Sequence, residues 1–226
     1  MRIRWFGQSS YLLTGTQSVF IDPFGDMSGM AARGIEWNYP PIAGVDAETL
    51  LVTHEHGDHN AVEAIGGDPV VIRSRAGRFE SPVGEVVGIA SEHDDAAGTL
   101  RGPNTIYCFT LDGVRVCHLG DFGQPALRPE QLAAIGEVDV LVVPAGSGPT
   151  IGGSAAAELV RAVRPRLVIP MHYRTEAISF LDPPDAFLDA LGGDIRRLEE
   201  SEIEVEEHLG TRDEPVTAVF AAPSNS

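Results

Sequence analysis

Two cysteines, Cys108 and Cys117, are all that 226 residues contain, too few for the disulfide frameworks that hold small secreted domains together. No window approaches the roughly 18 apolar residues of a membrane span, and no basic N-terminal stretch leads into an apolar run of signal-peptide type. Secretion and membrane insertion are both unsupported. Positive charge is scarce too: 16 basic against 33 acidic side chains leave a formal charge of -17. Such a field repels nucleic acid phosphates and anionic lipid, although it also serves plain solubility. The composition therefore favours a cytoplasmic enzyme acting on a small molecule, with no nucleic acid or membrane partner. Oligomeric state is not legible.

At 24.1 kDa and 43% hydrophobic residues, the chain is long enough to bury a substantial core, as one domain or two fused halves. Alternating apolar and polar positions predict short strands over Ile3–Gly7, Ser10–Thr14 and Ser18–Asp22. From Gly25 to Gly44 runs a long irregular stretch carrying Trp37 and Tyr39, a candidate substrate-facing loop. Further on, a short helix is predicted over His59–Ile65, then strands over Val70–Ser74 and Val86–Ala90. A hairpin over Thr105–Leu119 turns at Asp112-Gly113. Counting outward from that turn places Cys108 opposite Cys117 at a non-hydrogen-bonded position. That geometry permits a strained disulfide, while a cytosolic location favours reduced thiols.

The second half reads as helix Gln131–Ile135, apolar strand Val138–Pro144, helix Ala155–Val163 and strand Leu167–Met171. A helix over Pro184–Leu191 and a strand over Thr217–Ala221 follow. The acidic run Glu199–Glu207 and the tail from Arg212 look solvated, and His208 reads as surface. Strand and helix segments recur in two similar halves, which suits two sheets back to back with helices outside. The expectation is a single domain over 1–226, in which 212–226 holds the last strand and a mobile tail.

The densest chemistry lies in Thr53-His54-Glu55-His56-Gly57-Asp58-His59-Asn60. Imidazole and carboxylate are ligand types that suit zinc, iron or manganese. His54 and His56 stand two apart at a strand end, so both project to one side, as ligands of one ion must. Asp58 and His59 follow where the chain turns, free to serve a second ion; Asp58 could instead be a helix N-cap. His93 and His118 both lie between this cluster and Asp121. His118 precedes Asp121 by an odd offset, so the two face opposite sides of a strand unless the backbone breaks at Gly120.

The cluster matches His-x-His-x-Asp-His without substitution, and the chain here resembles the metallo-β-lactamase superfamily. Ile21-Asp22-Pro23-Phe24, Gly120-Asp121 and Pro170-Met171-His172-Tyr173 are similar to that family's other motifs. The resemblance implies an α/β fold, a four-layer αββα sandwich, with two divalent metal ions at one edge of the sheets. Zinc comes first; manganese or iron also fit. By the same resemblance, His54, His56 and His93 hold one ion, Asp58, His59 and His172 the other, and Asp121 bridges them. His93, at the end of the strand before, is favoured as third histidine over His118. Asp22 corresponds to a non-ligating aspartate that orients the histidine loop.

The nearest branch resembles small single-domain hydrolases that include L-ascorbate-6-phosphate lactonase. Gly7-Gln8-Ser9, standing where that branch leads one to expect Gly-His-Ser, weakens any transfer of lactonase specificity. The implied reaction is attack on an ester, lactone or related bond by hydroxide formed between the two ions, with Asp58, His59 and Asp121 as catalytic residues. Phosphodiester cleavage of a small or lipid diester is the alternative at the same site. Iron redox chemistry and a metal-stabilised interaction protein are more distant readings; His56 stands where oxygen-reducing relatives carry glutamate. Tyr173 and Arg174, directly after His172, are candidate substrate contacts, Arg174 as an anion clamp. The glycines at 146, 148, 152 and 153 flank a helix start that could hold an anion.

Overall fold

The computed structural model describes residues 1–224. The chain begins as an antiparallel meander, β1 (Arg2–Gly7), β2 (Ser10–Thr14) and β3 (Ser18–Ile21). After the loop come β4 (Val45–Asp46), β5 (Thr49–Val52), β6 (Ile65–Gly66) and β7 (Val70–Arg73). β8 (Gly77–Ser81), β9 (Gly84–Glu92), β10 (Pro103–Leu111) and β11 (Val114–His118) follow. The remainder alternates α1 (Pro129–Ile135), β12 (Val140–Pro144), α2 (Gly153–Val163), β13 (Leu167–Met171) and α3 (Asp185–Leu191). β14 (Asp194–Arg197), β15 (Glu202–Glu204) and β16 (Val216–Val219) end it.

These strands form a six-stranded sheet, β15-β1-β2-β3-β5-β7, and an eight-stranded sheet, β14-β16-β13-β12-β11-β10-β9-β8. One apolar cluster lies between them. It takes Ile3, Trp5, Tyr11, Leu13, Ile21 and Leu51 from the first sheet and Tyr107, Phe109, Val116 and Val142 from the second. β12 and β13 are buried along their whole length, as parallel strands covered on both faces must be. α2 supplies one of those covers through Ala156, Leu159, Val160 and Val163 at helical spacing. It stops at Arg164 in the left-handed region, one residue before Pro165. The whole is an α/β fold of two packed sheets with helices on the outer face of the second.

The outer face of the first sheet is covered differently. Phe20 and Leu50 alternate away from the shared core and pack on Phe24, Tyr39, Ile42 and Ile65. The irregular stretch after β3 is therefore this sheet's outer layer as well as a loop, with a single 3-10 turn over Ser28–Arg33. Asn38 N–H bonds the Ala177 carbonyl at 2.8 Å and Tyr39 Oη pairs with Thr175 Oγ1 at 2.9 Å, which fastens the loop to the segment after β13.

Several sequence-based expectations change. The helix predicted over His59–Ile65 is only a 3-10 turn at Val62–Ala64. His59 is drawn into the interior and Ala61 N–H bonds the Pro23 carbonyl, so tertiary contacts override a helical register. The acidic run is not solvated throughout: Ile203 and Val205 are buried, and β15 pairs with β1 across Arg2–Glu204 and Arg4–Glu202. His208 is half-buried. The last strand is Val216–Val219, and Phe220 after it is buried; the expected mobile tail falls in part on residues 225–226, outside the described residues. Cys108 sits opposite Cys117 as a pair of free, buried thiols. Asp112 and Gly113 both have positive φ, the type I′ turn that sets this register. Among the described residues no helix is long and apolar enough to cross a membrane.

Trp5 ties these layers together. It is 1% exposed, packs near Tyr11, Tyr39, Tyr173 and Phe220, and donates its indole N–H to the Gln8 carbonyl at 2.9 Å. Trp5→Ala should cost about 3–5 kcal/mol of stability; urea unfolding followed by far-UV circular dichroism measures it.

Candidate metal centre

Five strands of two sheets deliver the site from one edge. β3 and β5 run parallel, and β9, β11 and β13 share one direction in the second sheet. The residues just past their C-terminal ends, Asp22, the 54–59 loop, His93, Asp121 and His172, meet there. Sharp breaks turn the side chains inward. Asp22 and His172 take φ of 51° and 50°, left-handed values that are costly for non-glycine residues and tolerated where packing enforces them. Gly120 does the same at φ 58°, and a Cβ there would lie 2.7 Å from Thr53 Cβ, so only glycine permits this break. It is the break that lets Asp121 point the opposite way from the strand alternation.

Asp121 Oδ2 lies 3.1 Å from His93 Nε2, 3.3 Å from His172 Nε2, 3.4 Å from His59 Nε2 and 3.9 Å from His54 Nε2. Ligand atoms fall within 4.8 Å of one another in three sets: His54, His56 and His93; His54, His59 and Asp121; Asp58, His59 and His172. The structure thus brings together all seven candidate side chains. His118 stays outside. Its Nδ1 accepts the Gly120 N–H at 3.1 Å, so Nε2 carries the proton and donates it to the Ser9 carbonyl at 3.1 Å. With both nitrogens committed, it has no lone pair for a cation.

The orientation of the histidines follows from one carboxylate. Asp22, fully buried, accepts the Thr53 N–H at 2.7 Å, the Thr53 hydroxyl at 2.7 Å and His59 Nδ1–H at 2.9 Å. Because the Thr53 proton is spent on Asp22, its oxygen must accept from His54 Nδ1 at 3.0 Å. Both imidazoles are therefore protonated at Nδ1 and turn their Nε2 atoms towards the centre. His59 Nε2 is buried and has no hydrogen-bond partner there, a site that fits a cation.

Electrostatics are those of a cluster short of positive charge. Burial, reinforced by His59, lowers the His54 pKa to about 2. Burial lowers His56 and His172 as well. His59 goes the other way: burial opposes its charge, but Asp121, Asp58 and Asp22 together raise it well above the usual imidazole range. Asp121 is held well below the carboxylate range against its own burial by His172 and His59, and Asp58 is lowered against burial chiefly by His59. The positive charge that these carboxylates favour at His59 is the charge a divalent ion would supply.

Supporting groups that the sequence did not reveal complete the shell. Asn104 accepts the Asp121 N–H at 3.0 Å and donates to Ser91 Oγ and the Leu119 carbonyl at 2.7 and 2.8 Å. Glu55, inside the histidine loop, binds Arg73 Nε at 2.8 Å and the Ser74 hydroxyl at 2.7 Å. The Arg73 contact, against modest burial, lowers its pKa to about 2. It ties the loop to β7. No periodicity or spacing signal marks either residue; both are visible only through partners distant in sequence.

A cleft of about 700 Å³ opens over the cluster and is lined by His56, Asp58, His93, Asp121 and His172. Met27, Met30, Arg33 and Ile35 of the irregular loop form part of its wall, with Arg101 and Phe180. Two expected substrate contacts are elsewhere. Tyr173 is buried, its hydroxyl near the Phe220 carbonyl, and Arg174 Nε donates to the Leu181 carbonyl at 2.6 Å. The glycine loop before α2 is shaped by close packing: Gly146 lies on the backbone of His172 and Tyr173, and Gly152 on Ser147.

Comparison with known proteins agrees with this architecture. A family model described as Beta-lactamase superfamily domain matches residues 2–172. A UPF0173 metal-dependent hydrolase of Thermococcus kodakarensis is 29% identical over 217 residues, covering 82% of this chain and 90% of the relative. One from Archaeoglobus fulgidus is 29% identical over 218 residues, covering 82% and 88%. The crystal structure of a candidate Zn-dependent hydrolase of the metallo-beta-lactamase superfamily from Thermotoga maritima superposes with a TM-score of 0.76 at 30% identity, covering 97% of this chain and 98% of that one. With its histidine and aspartate cluster set at the edge of two packed sheets, the chain belongs to the beta-lactamase superfamily and is a metal-dependent hydrolase.

Proposed function

We propose that this enzyme cleaves an ester, lactone or related acyl bond in a small, anionic substrate with two divalent cations. His54, His56 and His93 would hold one cation, and Asp58, His59 and His172 the other, with Asp121 between them. The observation that carries the proposal is the convergence of buried imidazole Nε2 atoms on one oxygen of Asp121. Zinc is the first choice because imidazole and carboxylate suit it and because the Thermotoga maritima relative is named for zinc. When bound, the cations would supply a water whose pKa is lowered to about 7 and a Lewis acid for the substrate oxygen that gains charge.

The protein's own groups do the rest. Asp22 and Thr53 hold the Nδ1 protons of His59 and His54, so each ring turns its Nε2 to the cation site, and on His59 a cation would take the place of the Nε2 proton that the nearby carboxylates favour. Ser9 Oγ, 3.3 Å from Asp121 Oδ1, steadies the Asp121 carboxylate, and Asn104 holds the Asp121 backbone N–H. No serine or cysteine nucleophile is required, and both cysteines are buried away in β10 and β11. Asp58 and Asp121 line the cleft, His59 Nε2 lies 3.4 Å from Asp121 Oδ2, and these three are the proposed catalytic residues.

Elemental analysis of protein purified without added metal should find two equivalents of divalent ion. His54→Ala and Asp121→Ala should lose metal and lower turnover by about a thousandfold, the scale of several kcal/mol of lost charge stabilisation. The assay is a chromogenic panel of esters, lactones and a phosphodiester; full activity in a metal-free variant would eliminate the proposal, and selective turnover of the diester would replace the acyl substrate with a phosphodiester.

Asp22→Asn tests the orienting role separately. An amide offers one oxygen where two were used, so His59 loses its acceptor or Thr53 does, and zinc affinity should fall about 10–100-fold. Competition with a fluorescent zinc chelator measures this. Unchanged affinity in a folded D22N protein would mean that the tautomers are held by something else.

A further inference from the structure

All 16 basic side chains of this protein are arginines. Ten are ion-paired with carboxylates. Arg4 and Arg75 lie over the rings of Phe6 and Phe79, while Arg115 and Arg174 donate to backbone carbonyls. Among the described residues, only the guanidinium groups of Arg33 and Arg101 have no hydrogen-bond, ion-pair or ring partner, and both residues line the metal cleft. In a chain carrying a formal charge of -17, acidic partners are plentiful, and leaving two guanidinium groups unpaired at one opening is not what charge balance alone would produce.

Each is presented by a built element. The Asp94 carboxylate accepts the backbone N–H groups of Ala96, Gly98, Leu100 and Arg101 at 2.7–3.0 Å, which folds the loop after His93 into a fixed turn ending at Arg101. Arg33 is the last residue of the 3-10 turn Ser28–Arg33, closed by Gly34 in the left-handed region. Met27, Met30 and Phe180 give the same cleft an apolar part, and Phe180 is 40% exposed. The acids on the rim are already engaged, Glu55 by Arg73 and Asp26 by the Ser28 N–H.

We propose that Arg33 and Arg101 form an anion-binding subsite, so that the substrate is a small molecule in which a carboxylate or phosphate is separated by a short apolar spacer from the bond that is cleaved. The guanidinium pair takes the anionic end through charge-assisted, bidentate hydrogen bonds. Met27, Met30 and Phe180 cover the spacer, and the scissile group reaches the metal centre. This subsite rests on the hydrolytic reading of that centre for what happens at the other end of the substrate, but not for its own binding.

The test is equilibrium binding to zinc-loaded protein of α,ω-dicarboxylates from succinate to suberate and of ω-phosphonocarboxylates, against monocarboxylates of equal length. At one spacer length the doubly anionic probe should bind at least about tenfold tighter than its singly charged counterpart, despite the acidic protein. That ratio should collapse towards unity in R33Q/R101Q and persist in R78Q/R161Q, which removes the same charge from paired surface arginines. No preference at any length, or a preference that survives in R33Q/R101Q with its zinc content intact, would overturn the subsite. Whichever series binds tighter assigns the headgroup as carboxylate or phosphate. A retained ratio without turnover of any ester, lactone or diester would count against the hydrolytic reading and leave the subsite standing.

Discussion

The buried carboxylate of Asp22 is the constraint on which the site depends. A carboxylate with no exposure to water needs its lone pairs filled, and Asp22 fills them with the Thr53 amide, the Thr53 hydroxyl and His59. Those three bonds dictate the direction of every proton near them. His54 and His59, both neighbours of this relay, are left with Nε2 as the nitrogen that faces the cluster. A histidine loop without this anchor could place the same residues in the same region and still offer protonated nitrogens to a cation.

The scaffold explains why such an anchor can exist. Parallel strands ending at one edge of each sheet bring residues as distant as Asp22 and His172 to the same place. Their backbone breaks are strained, with left-handed φ at Asp22 and His172, and the strain is sustained by rigid packing beneath: β12 and β13 buried throughout and Trp5 wedged among aromatic rings. Strain of about 1–3 kcal/mol per residue is affordable only where the surroundings over-determine the conformation. The same loop that seals the outer face of the first sheet also walls the cleft, so stability and substrate access are coupled through residues 24–47.

Much of this was legible from the chain itself. Alternation placed the strands of the opening meander, and Asp112-Gly113 set the hairpin register that opposes Cys108 to Cys117. Strand parity also showed that His118 and Asp121 could share a side only if the backbone broke at Gly120, and it does break, yet His118 turns to Ser9 instead. The failures have a common cause. Tyr173 and Arg174 looked like substrate contacts because they adjoin His172, but the left-handed break at His172 sends the following residues into the core and towards Leu181. The helix expected after His59 was lost to contacts with Pro23, and the acidic run hid a strand because Ile203 is the one buried residue of β15.

The sequence by itself determined the chemical inventory: imidazoles and carboxylates packed into one short loop, on a chain with a formal charge of -17. Only the tertiary structure decided how that inventory is used. Which nitrogen of a histidine carries its proton depends on the hydrogen-bond partner opposite, and here the partners of His54 and His59 converge on Asp22, more than thirty residues away. Likewise an arginine is free or spent according to what folds against it, which is why Arg33 and Arg101 are indistinguishable in the sequence from the others and distinct in the fold.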